Sequence, residues 1–285
     1  MNSRRLVSLV ILSFFLMGFG MAENPPVLEL NQIPIPQLRV TLRGFPGDWR
    51  TDTDMSKGIP PPAAEKPLPP GAPRIDLPPC AKLAEMGKQT VGDAIASRRS
   101  VRSFSAAPIR LDELAYLLWA TQGVTESTRD EAGNPLQFRA APSGGGRYPL
   151  ETYVAVRNVE GLKPGVYRYL PTQHQLIPVR EAAEIGQELQ RGCYGQTLAG
   201  EAACTFIWSA IPYRTEWKYG FIAHRMIAIE AGHVCENLYL AAGSIQAGTC
   251  ALLSYHQPAL DALIGVDGKD EFAIYLACVG KTKAP

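Results

Sequence analysis

Residues 97–104 read SRRSVRSF, a run that places three guanidinium groups and several hydroxyls just after a short helical pattern. Arginine donates two parallel hydrogen bonds to a phosphate and stays charged at any biological pH, and a serine hydroxyl adds a neutral donor. We call Arg98, Arg99, Ser100 and Arg102 the arginine-serine cluster. Their chemistry suits a bound phosphate. A solvated basic helix end is the alternative, because charge runs of this kind are common.

Four further motifs follow the arginine-serine cluster along the chain. They read LLWATQG at 117–123, APSGGG at 141–146, KYG at 218–220 and EAGH at 230–233. Together the five motifs resemble, in their order, the nitroreductase superfamily of flavoenzymes and, within it, the SagB-type dehydrogenases. The resemblance covers residues 84–283.

This resemblance implies an α+β fold, with a central mixed β-sheet flanked by helices and a long hub helix at the interface of a homodimer. It implies FMN as the cofactor, with its phosphate held by the arginine-serine cluster. The other residues that it places at the flavin are Pro142, Ser143, Gly144, Gly248, Thr249, Gly280 and Lys281. It also implies a small-molecule or modified-peptide substrate.

Lys218 and Tyr219, which we call the proton pair, are the candidate catalytic residues. They match a Lys-Tyr pair implicated in removing the substrate proton in azoline-oxidising members of the family. Both groups can transfer protons when burial shifts their pKa. A surface lysine beside a packed tyrosine is the alternative.

Composition limits the architecture and the functional classes. The 285 residues are 46% hydrophobic and carry 28 Lys+Arg against 27 Asp+Glu. These values predict one sizeable core and no nucleic-acid-binding surface. No cysteine pair has metal-ligand spacing near a histidine cluster, so we expect no metal site. Cys193 and Cys204 are the best disulfide candidates by their position around a turn region.

The N-terminus carries a targeting pattern. Arg4 and Arg5 precede an apolar run over 6–19 and the small-residue stretch Gly20-Met21-Ala22. This pattern predicts a signal peptide at residues 1–22 and export to the periplasm. An uncleaved membrane anchor is the alternative, because residues 6–22 reach the lower length limit of a membrane span.

A proline-rich segment at residues 23–83, which we call the arm, precedes the predicted flavin-binding domain at 84–285. Residues 24–79 hold 14 of the 24 prolines. Proline fixes φ and lacks the amide hydrogen, so the arm is predicted to be extended. Its many apolar residues predict that part of it lies against the folded domain or a second subunit.

Periodicity predicts the elements of the domain. Helices are predicted from residue 91 into the arginine-serine cluster and at 111–122, 181–191 and 221–242, and strands at 152–156, 165–170, 175–179, 205–210 and 272–279. Gly123 is predicted to take a left-handed conformation after the second helix, and residues 124–140 to form a loop. Glu230, His233 and Asn237 form a polar stripe on the longest helix, which we interpret as structural hydrogen bonding rather than catalysis.

Three functional interpretations stay open at this stage. The first is a SagB-type FMN-dependent dehydrogenase, and the second is a nitro- or quinone-type reductase that uses the same FMN. The third is a non-catalytic flavin-holding or partner-binding subunit. Residues 251–256 lack the Gly-Phe-Asp element usual in the family, so the substrate stays open too. There is no G-x-G-x-x-G motif after a strand, which argues against a separate nicotinamide-binding domain.

Overall fold

The structure is a computed structural model that describes residues 39–42, 52–79, 85–129, 133 and 135–283. Residues 1–44 form one unit, in which a short 3-10 helix at Arg39–Leu42 is described. Residues 45–285 form the second unit, which holds the other described elements. The predicted signal peptide lies outside the described residues.

The described part of the second unit contains seven α-helices. They are α1 (Val91–Ser97), α2 (Leu111–Gln122), α3 (Ile185–Gly192), α4 (Thr197–Glu201), α5 (Tyr213–Tyr219), α6 (Ala223–Ser244) and α7 (Gln257–Ile264). Short 3-10 helices occur at Gly144–Gly146 and Gly220–Ile222. The four helices predicted from periodicity are α1, α2, α3 and α6, and the long hub helix α6 begins and ends two residues later than predicted.

Nine strands are described. They are β1 (Ile75–Asp76), β2 (Val124–Arg129), β3 (Pro135–Arg139), β4 (Leu150–Val156), β5 (Gly165–Leu170), β6 (Gln175–Glu181), β7 (Cys204–Ala210), β8 (Ala247–Leu252) and β9 (Phe272–Lys281). Seven form one sheet in the order β1-β6-β5-β4-β7-β9-β8, and β2 and β3 form a separate hairpin.

The α+β class is confirmed, but the sheet is antiparallel rather than mixed. All ladders between its described strands run antiparallel. The connections at 157–164 and 171–174 explain this for β4, β5 and β6, because a parallel crossover needs about a dozen residues or more. Parallel pairing among the described residues is limited to the single bridges Ser100–Thr249 and Ile109–Val159.

Helices cover both faces of the sheet. Side chains of β4 and β7 are buried along the whole length of both strands. On one face, Trp208 and Val154 join a core with α2 and α6. On the other, Tyr153 and Ile207 join a core with α3, α4 and α7. The domain is therefore a helix–sheet–helix sandwich in which β4 and β7 are the most deeply enclosed strands.

Two local predictions are wrong. Gly123 has φ −61° and ψ 145°, which is an extended conformation. Glycine is needed at this position because the Trp119 ring lies close to its backbone, so that a Cβ would lie 2.4 Å from that ring.

Residues 124–140 contain the β2–β3 hairpin rather than a loop. Most β2 side chains are exposed, so the strand has no apolar alternation to reveal it.

Residues 52–79 of the arm, which belong to the second unit, lie along the domain. Its strand β1 pairs with β6 at the edge of the large sheet, with Ile75 opposite Leu176. A two-residue edge strand suits a proline-rich segment, because proline cannot donate to a central ladder.

Further findings concern the thiols, the helix lengths and the possible metal ligands among the described residues, which exclude the predicted signal peptide. Cys193 and Cys204 are buried free thiols, so the predicted disulfide does not form. Within the same ranges, no helix is long and apolar enough to cross a membrane. Nor do the described residues include a group of three or more His, Cys, Asp or Glu placed to hold a metal ion.

Candidate functional site

The arginine-serine cluster is held between α1 and strand β8. Thr90 caps α1 by accepting the Asp93 amide, as predicted, and the helix ends at Ser97. The chain then extends along β8, where Ser100 bridges Thr249 and the Val101 amide donates to the Thr249 carbonyl at 2.9 Å. The backbone of the cluster is therefore fixed to the large sheet.

Tyr239 of α6 organises the side chains of this cluster. Its hydroxyl accepts the Ala251 amide at 2.9 Å and lies 3.2 Å from the Ser100 hydroxyl. The Arg98 guanidinium lies 5.4 Å from the centre of its ring, which is cation–π distance. Arg99 and Arg102 are exposed. The cluster thus presents cationic donors and one hydroxyl beside a rigid aromatic ring, which is suitable chemistry for an anion.

Four residues predicted at the flavin have structural partners in this region. A Cβ on Gly248 would lie 2.5 Å from Val101, and one on Gly280 would lie 2.6 Å from Phe104. Both glycines therefore let residues 98–104 lie directly on the sheet. Thr249 is buried and its hydroxyl donates to the Cys278 carbonyl at 2.9 Å.

Lys281 is the fourth of these residues. Its ammonium donates to Glu113 at 2.5 Å and to the Ile245 carbonyl at 2.9 Å. This pairing ties the end of β9 to α2. The Lys281 ammonium is therefore engaged by groups of this chain, and its place at the flavin stays a prediction.

A second group of predicted residues meets at residues 142–146, which we call the glycine turn. Gly145 and Gly146 have φ of 62° and 65°, a left-handed conformation that glycine adopts without strain. A Cβ on Gly145 would lie 2.4 Å from the Tyr219 hydroxyl and 3.1 Å from the Lys218 ammonium. The proton pair and the glycine turn are therefore in direct contact, although about 70 residues separate them in the sequence.

Glu230 of α6 is a site residue that the sequence analysis did not single out as functional. It is buried, and its carboxylate accepts hydrogen bonds from the Ser143 hydroxyl and the Gly144 amide. Burial raises its pKa to about 7, because desolvation outweighs these two hydrogen bonds. The carboxyl group can therefore gain or lose a proton near neutral pH beside the glycine turn.

The polar stripe of α6 does not form the internal hydrogen bonds that its spacing suggested. Asn237 donates to the Ala120 carbonyl at 2.9 Å, and His233 is exposed. Glu230 is thus buried, His233 is exposed and Asn237 bonds to another helix. The sequence feature that could have indicated the burial of Glu230 is its position beside the apolar face of α6.

The glycine turn and the arginine-serine cluster lie on opposite sides of α6. Tyr239 follows Glu230 by nine positions, which is about two and a half helical turns and about 13 Å of rise. Glu230 holds the glycine turn, whereas Tyr239 holds the arginine-serine cluster. Within one chain, the glycine turn and the arginine-serine cluster, the two predicted halves of the flavin site, are therefore separated by the thickness of α6.

An apolar cavity of about 470 Å³ opens beside α6, between this helix, β9 and Leu253. Gly232 lines it, and a Cβ on Gly232 would meet nothing within 4 Å. Gly232 precedes Tyr239 by seven positions, or about two turns, so the cavity and the arginine-serine cluster share one side of the helix.

The arginine-serine cluster and the apolar cavity together have the chemistry that a flavin needs. Cofactor cavities span about 300–1,000 Å³, are mostly apolar and carry a few polar groups. Here an apolar cavity and the arginine-serine cluster lie on one side of α6. A flat apolar ring with a phosphate tail matches both features.

Comparison with known proteins identifies the family. The Nitroreductase family matches residues 95–281, more than half of the chain. The protein therefore belongs to the nitroreductase family and is a flavin-dependent oxidoreductase, as the motifs predicted. The alternative of a non-catalytic subunit is set aside.

Two relatives show the range of the family around this chain. The protein MJ1384 of Methanocaldococcus jannaschii, named as a nitroreductase, is 34% identical over 200 residues, which are 70% of this chain and 95% of MJ1384. The microcin B17-processing protein McbC of Escherichia coli is 31% identical over 113 residues, which are 38% of this chain and 41% of McbC.

Two solved structures share the fold. A protein from Anabaena variabilis, described as a nitroreductase, matches with a TM-score of 0.63 and 26% identity over 81% of this chain and 42% of its own. A chain of the E. coli microcin synthetase McbBCD complex with truncated pro-MccB17 bound matches with a TM-score of 0.56 and 18% identity, over 99% of this chain and 95% of its own. At 18% identity the second match shows the fold alone.

Glu230→Gln is predicted to change how stability depends on pH. The folded state raises the pKa of Glu230 from 4.5 to about 7, so the folded protein binds a proton more tightly than the unfolded chain. The free energy of unfolding contributed by this group is present below pH 4.5 and is lost as pH rises to about 7, on the order of 3 kcal/mol in total.

Urea unfolding of flavin-free protein between pH 4 and about 8 measures this change. Glu230→Gln should remove the loss of stability over that window. Glu236→Gln, an exposed change on the same helix, is the control and should keep it. An unchanged pH dependence in Glu230→Gln would contradict the assignment.

Proposed function

We propose that the protein is an FMN-dependent dehydrogenase of the SagB type that oxidises a small or peptide-derived substrate. The observation that carries the proposal is the contact between the proton pair and Gly145 of the glycine turn. A reductase of electron-poor compounds needs no base for a carbon–hydrogen bond, whereas a dehydrogenase does. The similarity to McbC, a protein named for processing microcin B17, supports a peptide-derived substrate.

FMN fits the chain through the arginine-serine cluster and the apolar cavity along α6. Arg98 and Ser100 would hold the phosphate, and the cavity beside Gly232 would accommodate the ring. Bound FMN supplies two-electron redox chemistry. The protein contributes position, exclusion of water and charge.

Two chains complete the site in this proposal. The glycine turn and the arginine-serine cluster of one chain lie on opposite sides of α6, so a second copy supplies the missing half of each site. The outer surface near the N-terminal half of α6 carries the exposed apolar side chains Phe221, Ile229 and Leu253, which a homodimer interface would bury.

The proton pair performs the proton transfer. Oxidation of an azoline ring to an azole removes two hydrogens, one with an electron pair and one as a proton. The Lys218 amino group is the acceptor for that proton, and Tyr219 orients it, with Lys218 Nζ 5.5 Å from the centre of the tyrosine ring. Both side chains are half-buried, so they reach a substrate while water access is reduced.

A nitro- or quinone-type reductase is the second candidate function. The similarity to MJ1384, which covers 95% of that protein, favours it. The same FMN and the same open apolar cavity would serve an electron-poor substrate. The two candidates differ in whether turnover requires the proton pair.

Arg98→Ala is predicted to weaken FMN binding. Loss of a charge-assisted contact with phosphate costs about 1.5–3 kcal/mol, which is about a 10- to 100-fold rise in the dissociation constant. Titration of flavin-free protein with FMN, followed by quenching of flavin fluorescence, measures this change. Arg129→Ala, in the β2–β3 hairpin, is the matched control and should bind as the parent does. Parent affinity in Arg98→Ala would remove this residue from the site.

Lys218→Ala is predicted to keep FMN and lose turnover. A positioned base contributes about 10²–10⁴-fold, so oxidation of a synthetic azoline peptide should slow by at least about 10²-fold. Reduction of a quinone by the same variant should stay at the parent rate, because no carbon–hydrogen bond is deprotonated. If Lys218→Ala and Tyr219→Phe both oxidise the peptide at the parent rate, the reductase candidate replaces the dehydrogenase.

A further inference from the structure

The arm contacts α5 at Trp217, the residue directly before the proton pair. The Met55 amide donates to the Trp217 carbonyl at 2.9 Å, and the Trp217 indole N–H donates to the Ile59 carbonyl at 2.8 Å. Trp217 is 9% exposed. The arm therefore holds both the backbone and the side chain of this residue.

Arg147 connects the same arm segment with the glycine turn. It directly follows Gly146 in the sequence. Its guanidinium donates to the Pro62 carbonyl at 2.9 Å and to the Arg214 carbonyl at 3.0 Å. The same group lies 4.9 Å from the centre of the Trp217 ring. The Arg147 side chain thus connects the arm, α5 and the glycine turn.

Buried charged groups also hold residues 64–67 of the arm against the domain. Arg139 donates to the Ala64 carbonyl and Arg168 to the Pro67 carbonyl, both at 3.0 Å. The Lys66 amide donates to Glu151 at 2.8 Å. A proline-rich segment offers many carbonyls and few amides, and arginine is a donor-only side chain, so the two are complementary. Without the arm, these buried arginines would lose hydrogen-bond acceptors, which is costly.

Helix α5 depends on such contacts for its position. It has seven residues, and a helix of this length is unstable in isolation. It begins after Pro212 and ends at Gly220, which has φ 52°. The contacts at Trp217 hold its last residues, as the buried pair of Arg214 with Glu151 holds its first turn.

We propose that arm residues 55–62 position the proton pair, acting through Trp217 and Arg147. The arm holds α5 against the glycine turn, so that Lys218 and Tyr219 stay in contact with Gly145. Trp217 and Arg147 are positioning residues, because their contacts are to the arm, α5 and the turn. This inference rests on the proposed role of the proton pair in substrate oxidation.

Trp217→Phe tests the inference, since it removes the hydrogen bond to Ile59 and keeps an aromatic ring. We expect kcat for oxidation of a synthetic azoline peptide to fall by about tenfold, since misplacement by 1 Å can cost about a hundredfold. KM, FMN content and the rate of quinone reduction should stay at the parent values. Trp119→Phe, the same change at a half-buried tryptophan of α2, is the matched control and should retain the parent kcat.

A double variant separates positioning from a general structural effect. If Trp217 acts through Lys218, adding Trp217→Phe to Lys218→Ala should cause no further loss of kcat. An equal tenfold loss in both backgrounds, or parent kcat in Trp217→Phe alone, would overturn the inference. Lys218→Ala by itself reports on the proposed function, so the two failures are distinguishable.

Hydrogen exchange supplies a readout that needs no substrate. Trp217→Phe should speed amide exchange at residues 54–60 and 213–219, whereas Trp119→Phe should leave those segments unchanged. Unchanged exchange in Trp217→Phe would show that the arm does not hold α5 and would overturn the inference, whether or not the azoline peptide is oxidised.

Discussion

Burial of one face of α6 against the large sheet is the constraint on which the rest of the structure depends. The 22-residue helix places Ile227, Val234 and Leu238 in the core beneath Trp208. Its rotation is therefore fixed, and so are the directions of the residues beside the buried face. Glu230 points to the glycine turn and Tyr239 to the arginine-serine cluster. Both halves of the proposed flavin site are thus positioned by the packing of one helix.

The active region combines this rigid core with parts that depend on polar contacts. Helix α5 and the described part of the arm bury Trp217 and Leu77, and ion pairs secure the elements around them. Glu151 accepts from Arg214 at 2.6 Å and from the Lys66 amide, and Glu271 pairs with the Lys66 ammonium at 2.5 Å. A buried charge that loses its partner destabilises the fold, so these ion pairs favour one arrangement of the arm, the glycine turn and α5.

Periodicity and motif order were sufficient to predict the class of fold and the hub helix, and they singled out the glycine turn and the proton pair as separate motifs whose contact the structure revealed. These features depend on local patterns or on the family resemblance. The β2–β3 hairpin was missed because its strands are polar and exposed. The pairing of Lys281 with Glu113, and that of Glu230 with Ser143, join residues far apart in the chain. Only the assembled tertiary structure brings such partners together, so sequence alone could not predict them.

Sharing of each site between two chains across α6 is tested most directly by complementation. Arg98→Ala and Lys218→Ala chains are coexpressed, and FMN-dependent oxidation of an azoline peptide is measured. If each site takes Arg98 from one chain and Lys218 from its partner, every mixed dimer contains one intact site. Random pairing should then restore about a quarter of the parent activity. Activity no higher than that of the two variants purified separately would show that both residues serve the same site from one chain.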